Sequence, residues 1–270
     1  MALSNLSIRL ITSAFASPAI LALLYWGPAW GWFLMVLVAS GVAASEVLGM
    51  THPGDRLSQT VGSLLTLAVS FAFYQAQADP RLLPTTLLLV TIVGLLLPLY
   101  RVGDLPQAAL RISGLIAVPL YIGLLFCTLA LLRRDFEHGS NIVLMTLMFA
   151  WLGDTGGYLG GRFFGKTPLH PQVSPKKTRE GLLGALGGAM SGGLLAHFWY
   201  LPSISLPAAL GLGLFCGLLG QLGDLAESLI KRSVNAKDSG WIVPGHGGLL
   251  DRVDALLLVS PAVYLYLIWR

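Results

Sequence analysis

Four short stretches hold nearly all the side chains that could do chemistry. "GLLGQLGDLAESLIKR" sets Asp224 and Glu227 three residues apart, with Gln221 three further back. That spacing puts all three on one face of a helix. Lys231 and Arg232 follow about one turn beyond Glu227. "PGHGGLLDRVD", Pro244–Asp254, carries His246, Gly247 and Gly248, then Asp251 and Asp254, again three apart. Both carboxylates are expected on one face at the start of a helix, where the macrodipole favours negative charge. That accounts for one of them but not for the His-Gly-Gly turn, where backbone can approach a ligand. "SPKKTREG", Ser174–Gly181, gathers Lys176, Lys177 and Arg179 behind a Ser-Pro pair that favours extended backbone. Asp154 stands in "AWLGDTGGYLGGRFFGK", an ionisable group inside an apolar run, with Thr155, Gly156 and Gly157 leaving room beside it.

Each feature has a plain alternative. Asp154 can be an interfacial carboxylate at a helix end. The lysines can anchor to lipid headgroups. Glu227 and Lys231 fit an i,i+4 ion pair. Taken together they point elsewhere. Asp154, Asp224, Asp251 and Asp254 offer hard oxygen ligands at the ends of different helices. Mg²⁺ takes one or two carboxylates plus substrate phosphates. Lys and Arg beside such a cluster suit phosphoryl or nucleotidyl transfer, in which cations stabilise developing charge. The sequence has no zinc-type Cys/His spacing, no Walker A loop, no GxSxG turn and no GxGxxG after a strand.

The elements that must position these groups are membrane spans. The chain has 270 residues, 55% hydrophobic and only 11% charged, against about 25% charged in soluble domains. Cys127 and Cys216 lie in apolar runs and read as buried small residues. A helix needs about 20 apolar residues to cross. Nine such runs are expected near 8–27, 29–50, 59–77, 82–100, 112–132, 141–160, 181–200, 206–224 and 254–269. The first run is expected to stay in the membrane rather than to be cleaved as a signal peptide. The fold class is therefore all-α and polytopic. With the N-terminus inside, 13 of the 17 Lys and Arg residues fall on the inner side, leaving Arg81, Arg133, Arg134 and Arg270 outside, as the positive-inside rule requires. The net charge of +4 then reports orientation rather than nucleic-acid binding. The charge-poor stretch 1–135 is expected to be a scaffold of about five helices, open to a role in dimerisation. The stretch 136–270 is expected to be the catalytic part, with two cytoplasmic polar loops. Glu46, in the second expected span, is left outside the site, either snorkelling to the interface or bridging a helix pair.

The stretch "SLIKRSVNAKDSGWIVPGHGGLLDRVD", Ser228–Asp254, resembles the signature of the phosphatidate cytidylyltransferases, the CDP-diacylglycerol synthases. The matching positions are Ser228, Ile230, Lys231, Arg232, Lys237, Asp238, Pro244, His246, Gly247, Gly248, Asp251, Arg252 and Asp254. "GDTGGYLGGRFFGK" and "SPKKTREG" resemble the family in the same order, so detail covers roughly the C-terminal 120 residues. Two departures are small. Val243 stands where Leu, Ile or Phe is usual, and Arg179 where an apolar or aromatic residue is common. The resemblance implies the reaction of CTP with phosphatidate to CDP-diacylglycerol and pyrophosphate, at the inner face of the cytoplasmic membrane. It also implies Mg²⁺, with a second cation such as K⁺ in some members, and a homodimer. By position, Asp224 and Asp251 become the principal metal ligands, with Asp254 or Asp154 contributing. Lys176, Lys177, Lys231, Arg232, Lys237 and Arg252 would hold phosphates. Ser228, His246, Gly247 and Gly248 would shape the substrate pocket. Within the site, Asp224, Asp251, Lys231 and Lys237 are the residues expected to act in catalysis.

Two other readings stay open on the sequence. One is a related cytidylyltransferase for another lipid phosphate, such as an isoprenoid ether lipid. The other is a cation-coupled transporter, which would place its carboxylates near mid-span. A phosphotransferase that consumes CDP-diacylglycerol would need DGxxAR…GxxxDxxxD, and no such string occurs.

Overall fold

The computed structural model describes residues 5–101, 105–240 and 247–270, with side chains from Phe15 onward except Arg101. Its helices are α1 (Asn5–Trp26), α2 (Ala29–Thr51), α3 (Arg56–Gln75), α4 (Leu82–Leu96), α5 (Ala108–Val118), α6 (Leu125–Asp135), α7 (Gly139–Phe164), α8 (Arg179–Leu195), α9 (Leu206–Ser233), α10 (Leu250–Val253) and α11 (Leu256–Ile268). An antiparallel hairpin, β1 (Pro168–His170) and β2 (Ser174–Thr178), interrupts the helices between α7 and α8. The second strand is the Ser-Pro-Lys-Lys stretch, extended as its proline requires.

Seven helical stretches among the described residues are long and apolar enough to cross a membrane: Ala29–Thr51, Arg56–Gln75, Leu82–Tyr100, Leu105–Asp135, Gly139–Phe164, Arg179–Tyr200 and Leu206–Ser233. The protein is a multi-pass membrane protein of helices. The other two expected runs fall on α1 and α11. The 13 residues of α11 rise only about 20 Å, short of the ~30 Å hydrocarbon core. The run is shortened at its start because the chain leaves the helix at Asp254 and Ala255. Asp254 Oδ1 accepts the Ala255 N–H at 2.7 Å, a local bond that competes with helix continuation. Asp251 therefore stands in α10 and Asp254 in the turn that follows it. Pro119 lies within the longest span, and a π turn over Pro119–Leu124 absorbs its missing N–H.

The chain forms two compact units. The first comprises 1–130 and 238–252. Its core holds Trp32, Leu48, Leu115 and Ile122. Polar groups inside it are paired: Trp32 Nε1 donates to Leu129 O at 3.1 Å and Ser70 Oγ to Gly123 O at 2.8 Å. Residues 238–240 and 247–252 pack here, far in sequence from their neighbours.

The second unit comprises 131–237 and 253–270. Its helices α7 and α8 meet along glycines, Gly156 and Gly160 against Gly184 and Gly188. A Cβ on Gly156 or Gly184 would overlap the facing carbonyl, so the two backbones touch as in small-xxx-small membrane pairs. Helix α9 packs on α8 through Gly213 and Gly217, and on α11 through Gly220 and Gly223. These close contacts bring the ends of α7, α8, α9 and α11 within side-chain reach of one another.

Candidate functional site

The site of the second unit is assembled at the hairpin. Thr178 caps α8, its Oγ1 accepting the Gly181 N–H at 3.0 Å. Glu180 Oε2 accepts the Lys166 and Thr167 N–H groups at 3.1 and 3.2 Å. Arg179 N donates to Thr167 O at 2.9 Å. The loop between α7 and α8 is thereby tied at both ends, and β2 presents its lysines from a fixed frame. Lys177 turns inward: its Nζ lies 2.7 Å from Asp224 Oδ2 and 3.5 Å from the Gln221 carbonyl. Lys176 stays exposed.

A cavity of about 420 Å³ opens beside this pair. It is lined by Asp154, Gly157, Tyr158, Gly161, Arg162, Lys176, Lys177, Thr178, Gly181, Gln221 and Asp224. That volume falls in the ordinary range for small-molecule pockets. Two carboxylates and three cations around one space form a lining suited to a polyanion carried with a metal ion.

Asp224 also belongs to a second grouping. Carboxylate oxygens of Asp224, Glu227 and Asp254 all lie within 4.8 Å of one another. The reason is local. A Cβ at Gly223 would stand 2.6 Å from the Asp254 carbonyl oxygen, so only glycine lets the start of α11 close on α9 here. Ser228 Oγ donates to Asp224 Oδ1 at 3.3 Å. Three carboxylates this close repel one another. Lys231 offsets part of that charge, its Nζ 2.5 Å from Glu227 Oε2 with both side chains buried. The donor set is oxygen only, without thiolate or imidazole, which suits a hard divalent cation such as Mg²⁺.

Among the expected residues, Asp154, Lys176, Lys177 and Asp224 line one cavity, and Asp224 and Asp254 share one carboxylate cluster. Ser228 supports Asp224. Lys231 faces Glu227. Arg232 is exposed and donates from Nε to Val173 O at 3.4 Å and from Nη1 to Ala236 O at 3.3 Å. Lys237 is exposed. Asp251, Gly247, Gly248 and Arg252 belong to the first unit. There Asp251 Oδ2 accepts from Ser239 N, Ser239 Oγ and Gly248 N at 3.2, 2.8 and 3.0 Å, and Arg252 is exposed. His246 lies outside the described residues.

Sequence reasoning did not reach three contributors. Glu227 shares a helix face with Asp224 by its spacing but is not among the expected metal ligands; the cluster includes it. Tyr158 and Arg162 line the cavity, and the Arg162 guanidinium donates to the Tyr158 hydroxyl at 2.9 Å. Their i,i+4 spacing, one turn beyond Asp154, was the available signal.

The pattern of the Cytidylyltransferase family matches residues 7–269. A phosphatidate cytidylyltransferase of Synechocystis sp. is 41% identical over 137 residues, 50% of this chain and 46% of that protein. One from Brucella suis biovar 1 is 39% identical over 149 residues, 54% of each chain. One from Staphylococcus aureus strain COL is 42% identical over 132 residues, 49% of this chain and 51% of that protein. The matched region spans about half the length of these relatives. With a match that runs nearly from end to end, this multi-pass chain belongs to the cytidylyltransferase family.

Proposed function

We propose that this protein makes CDP-diacylglycerol and pyrophosphate from CTP and phosphatidate, with its reaction centre at the cytoplasmic face of the cell's inner membrane. The observation that carries the proposal is the sharing of Asp224 between two structures. It lines the basic cavity and belongs to the Asp224–Glu227–Asp254 cluster. A metal-bound polyanion needs both neighbourhoods at once. The excess of Lys and Arg in the loops expected on one side of the spans supports the orientation, and the names of the relatives support the substrates.

The chemistry follows from charge. A phosphate oxygen of phosphatidate attacks the α-phosphorus of CTP. A new P–O bond forms, the bond to the bridging oxygen of the β-phosphate breaks, and the electron pair leaves with pyrophosphate. No protein nucleophile is needed if the two anions are aligned and their repulsion is offset. Asp224, Glu227 and Asp254 would hold Mg²⁺, and Asp154 stands close enough to the same cavity to contribute. When bound, the ion would neutralise phosphate charge. Lys176, Lys177 and Arg162 would grip phosphate oxygens from the cavity wall, and Lys177 would also keep Asp224 aimed. Lys231 would balance Glu227. Arg232 and Lys237 would attract the nucleotide from the exposed side. From the signature alone, Asp251 is a further carboxylate directed at metal, and His246, Gly247, Gly248 and Arg252 belong to nucleotide binding.

The test is purified protein in detergent with labelled CTP, Mg²⁺ and a panel of lipid phosphates. A CDP-lipid from phosphatidate is the expected product. Product formed only from an isoprenoid ether lipid phosphate would reassign the lipid. No CDP-lipid from any of them would reject the reaction.

A further inference from the structure

Glu46 is a carboxylate to which the proposed chemistry gives no task. It lies in α2, is only 6% exposed and sits among apolar neighbours. A buried carboxylate must be paid in hydrogen bonds. Two backbone N–H groups supply them, and a serine hydroxyl whose single proton is shared with Asp251 lies within reach. Leu249 N lies 2.9 Å from Oε1, Leu250 N 2.9 Å from Oε2, and Ser239 Oγ 3.2 Å from Oε2. All three come from 238–252, which packs in the same compact unit as α2. The two arms of the signature segment, Ser239–Gly240 and Gly248–Leu250, thus converge on one side chain nearly 200 residues away.

The fit leaves no slack. A Cβ on Gly240 would stand 2.6 Å from Glu46 Oε1, and one on Gly248 would overlap Ser239 Oγ. Gly247 takes φ +84°, a conformation that glycine adopts at little cost. Ser239 then joins the anchor to the signature carboxylate: its hydroxyl lies within hydrogen-bond reach of Glu46 Oε2 and of Asp251 Oδ2. The same Asp251 oxygen also accepts the Ser239 and Gly248 N–H groups. Both arms of the segment therefore hold Asp251 by one oxygen, and Glu46 holds both arms.

We propose that Glu46 is a positioning residue. It clasps the two arms Ser239–Gly240 and Gly248–Leu250 and, through Ser239, sets the direction of the Asp251 carboxylate for the reaction. The proposal rests on the cytidylyltransfer reading for its consequence, but the clasp itself can be measured without substrate.

The experiment uses full-length protein in detergent, as wild type, Glu46→Gln, Glu46→Asp and Ser239→Ala. Glu46→Gln keeps the shape but turns an NH₂ toward backbone N–H donors. Hydrogen exchange in metal-free protein is expected to rise in peptides covering 238–252 and to stay as in wild type elsewhere. In the same preparations kcat should fall about 10–100-fold, as for groups that support a metal ligand, with KM for CTP little changed. Glu46→Asp should recover part of both. Ser239→Ala keeps the Leu249 and Leu250 bonds and should give a smaller loss. The double variant with Glu46→Gln should lose less than the product of the two single losses. Unchanged exchange in 238–252, or faster exchange with unchanged kcat, overturns the proposal, as do losses that simply multiply. If Glu46→Gln does not fold, Ser239→Ala carries the same two readings: faster exchange with lower kcat supports the clasp, and wild-type values of either reject it. A wild type that makes no CDP-lipid defeats the reaction, and the exchange data then decide the clasp alone.

Discussion

The replacement Gly223→Ala probes how closely the carboxylate cluster is held. The added Cβ would lie 2.6 Å from Asp254 O and 3.4 Å from Ala255 Cα. Nonbonded Cβ–O contacts hardly occur below 3.0 Å, so the Asp254 carbonyl must retreat by at least about 0.4 Å. The obstacle is backbone, which cannot rotate away as a side chain would. A misplacement of about 1 Å can cost ~100-fold in rate, so about half that shift should cost roughly tenfold. Alanine favours helix over glycine by about 1 kcal/mol, so α9 itself is not weakened. Gly220→Ala is the control. It lies three residues earlier on the same face of α9, and its Cβ would meet Ala255 Cβ and Val259 Cγ2 at an ordinary 3.6 and 3.7 Å. The assay is initial rate against Mg²⁺ concentration, with thermal unfolding in detergent alongside. Gly223→Ala should lose about tenfold in rate at each Mg²⁺ concentration and keep a near-native unfolding midpoint, while Gly220→Ala behaves as wild type. Equal behaviour of the two variants would refute the claim that the approach of Asp254 to Asp224 matters.

Three further outcomes are expected. Asp224→Asn should abolish CTP-dependent product while the protein still inserts and unfolds cooperatively, whereas Asp254→Asn should leave a residual rate that excess Mg²⁺ raises; steady-state assays across Mg²⁺ concentrations separate them. Lys177→Met removes the 2.7 Å partner of Asp224 and a cation of the cavity wall, and should raise KM for CTP and lower kcat together, each by about tenfold. His52 joins α2 to α3, buried against the Arg111 carbonyl at 3.1 Å, and burial holds its pKa below the ordinary 6.5. The unfolded chain therefore takes up the proton before the folded protein as pH falls, and stability is lost on going below about pH 6.5. Unfolding midpoints at about pH 7.5 and 5.5 should show that loss, and His52→Gln should reduce it.

Seven of the nine expected spans were legible because each is a long apolar run, and the extended lysine strand because Ser174-Pro175 disfavours helix before the proline. Asp224 with Glu227 was legible from helical spacing, since α9 runs unbroken through both. At Asp251 and Asp254 the helix is interrupted: α10 ends at Val253, and Asp254, in the turn before α11, accepts the Ala255 N–H. That break was invisible to periodicity because either backbone satisfies the same residues. Glu46 was read as a snorkelling or bridging residue. Its partners lie about 200 positions away in the chain, and no local pattern announces a pairing of that range. Gly223 was one glycine among 32, and its meaning appears only once α11 is seen against it.

The central claim is that a phosphate oxygen of the lipid displaces pyrophosphate from the α-phosphorus of CTP at the Asp224 cluster. The most direct test gives purified protein, phosphatidate and Mg²⁺ either α-³²P- or γ-³²P-labelled CTP. α label should enter the lipid, γ label should leave as pyrophosphate, and Asp224→Asn should stop both. Label in the lipid from γ-³²P-CTP, or undiminished transfer by Asp224→Asn, would contradict it.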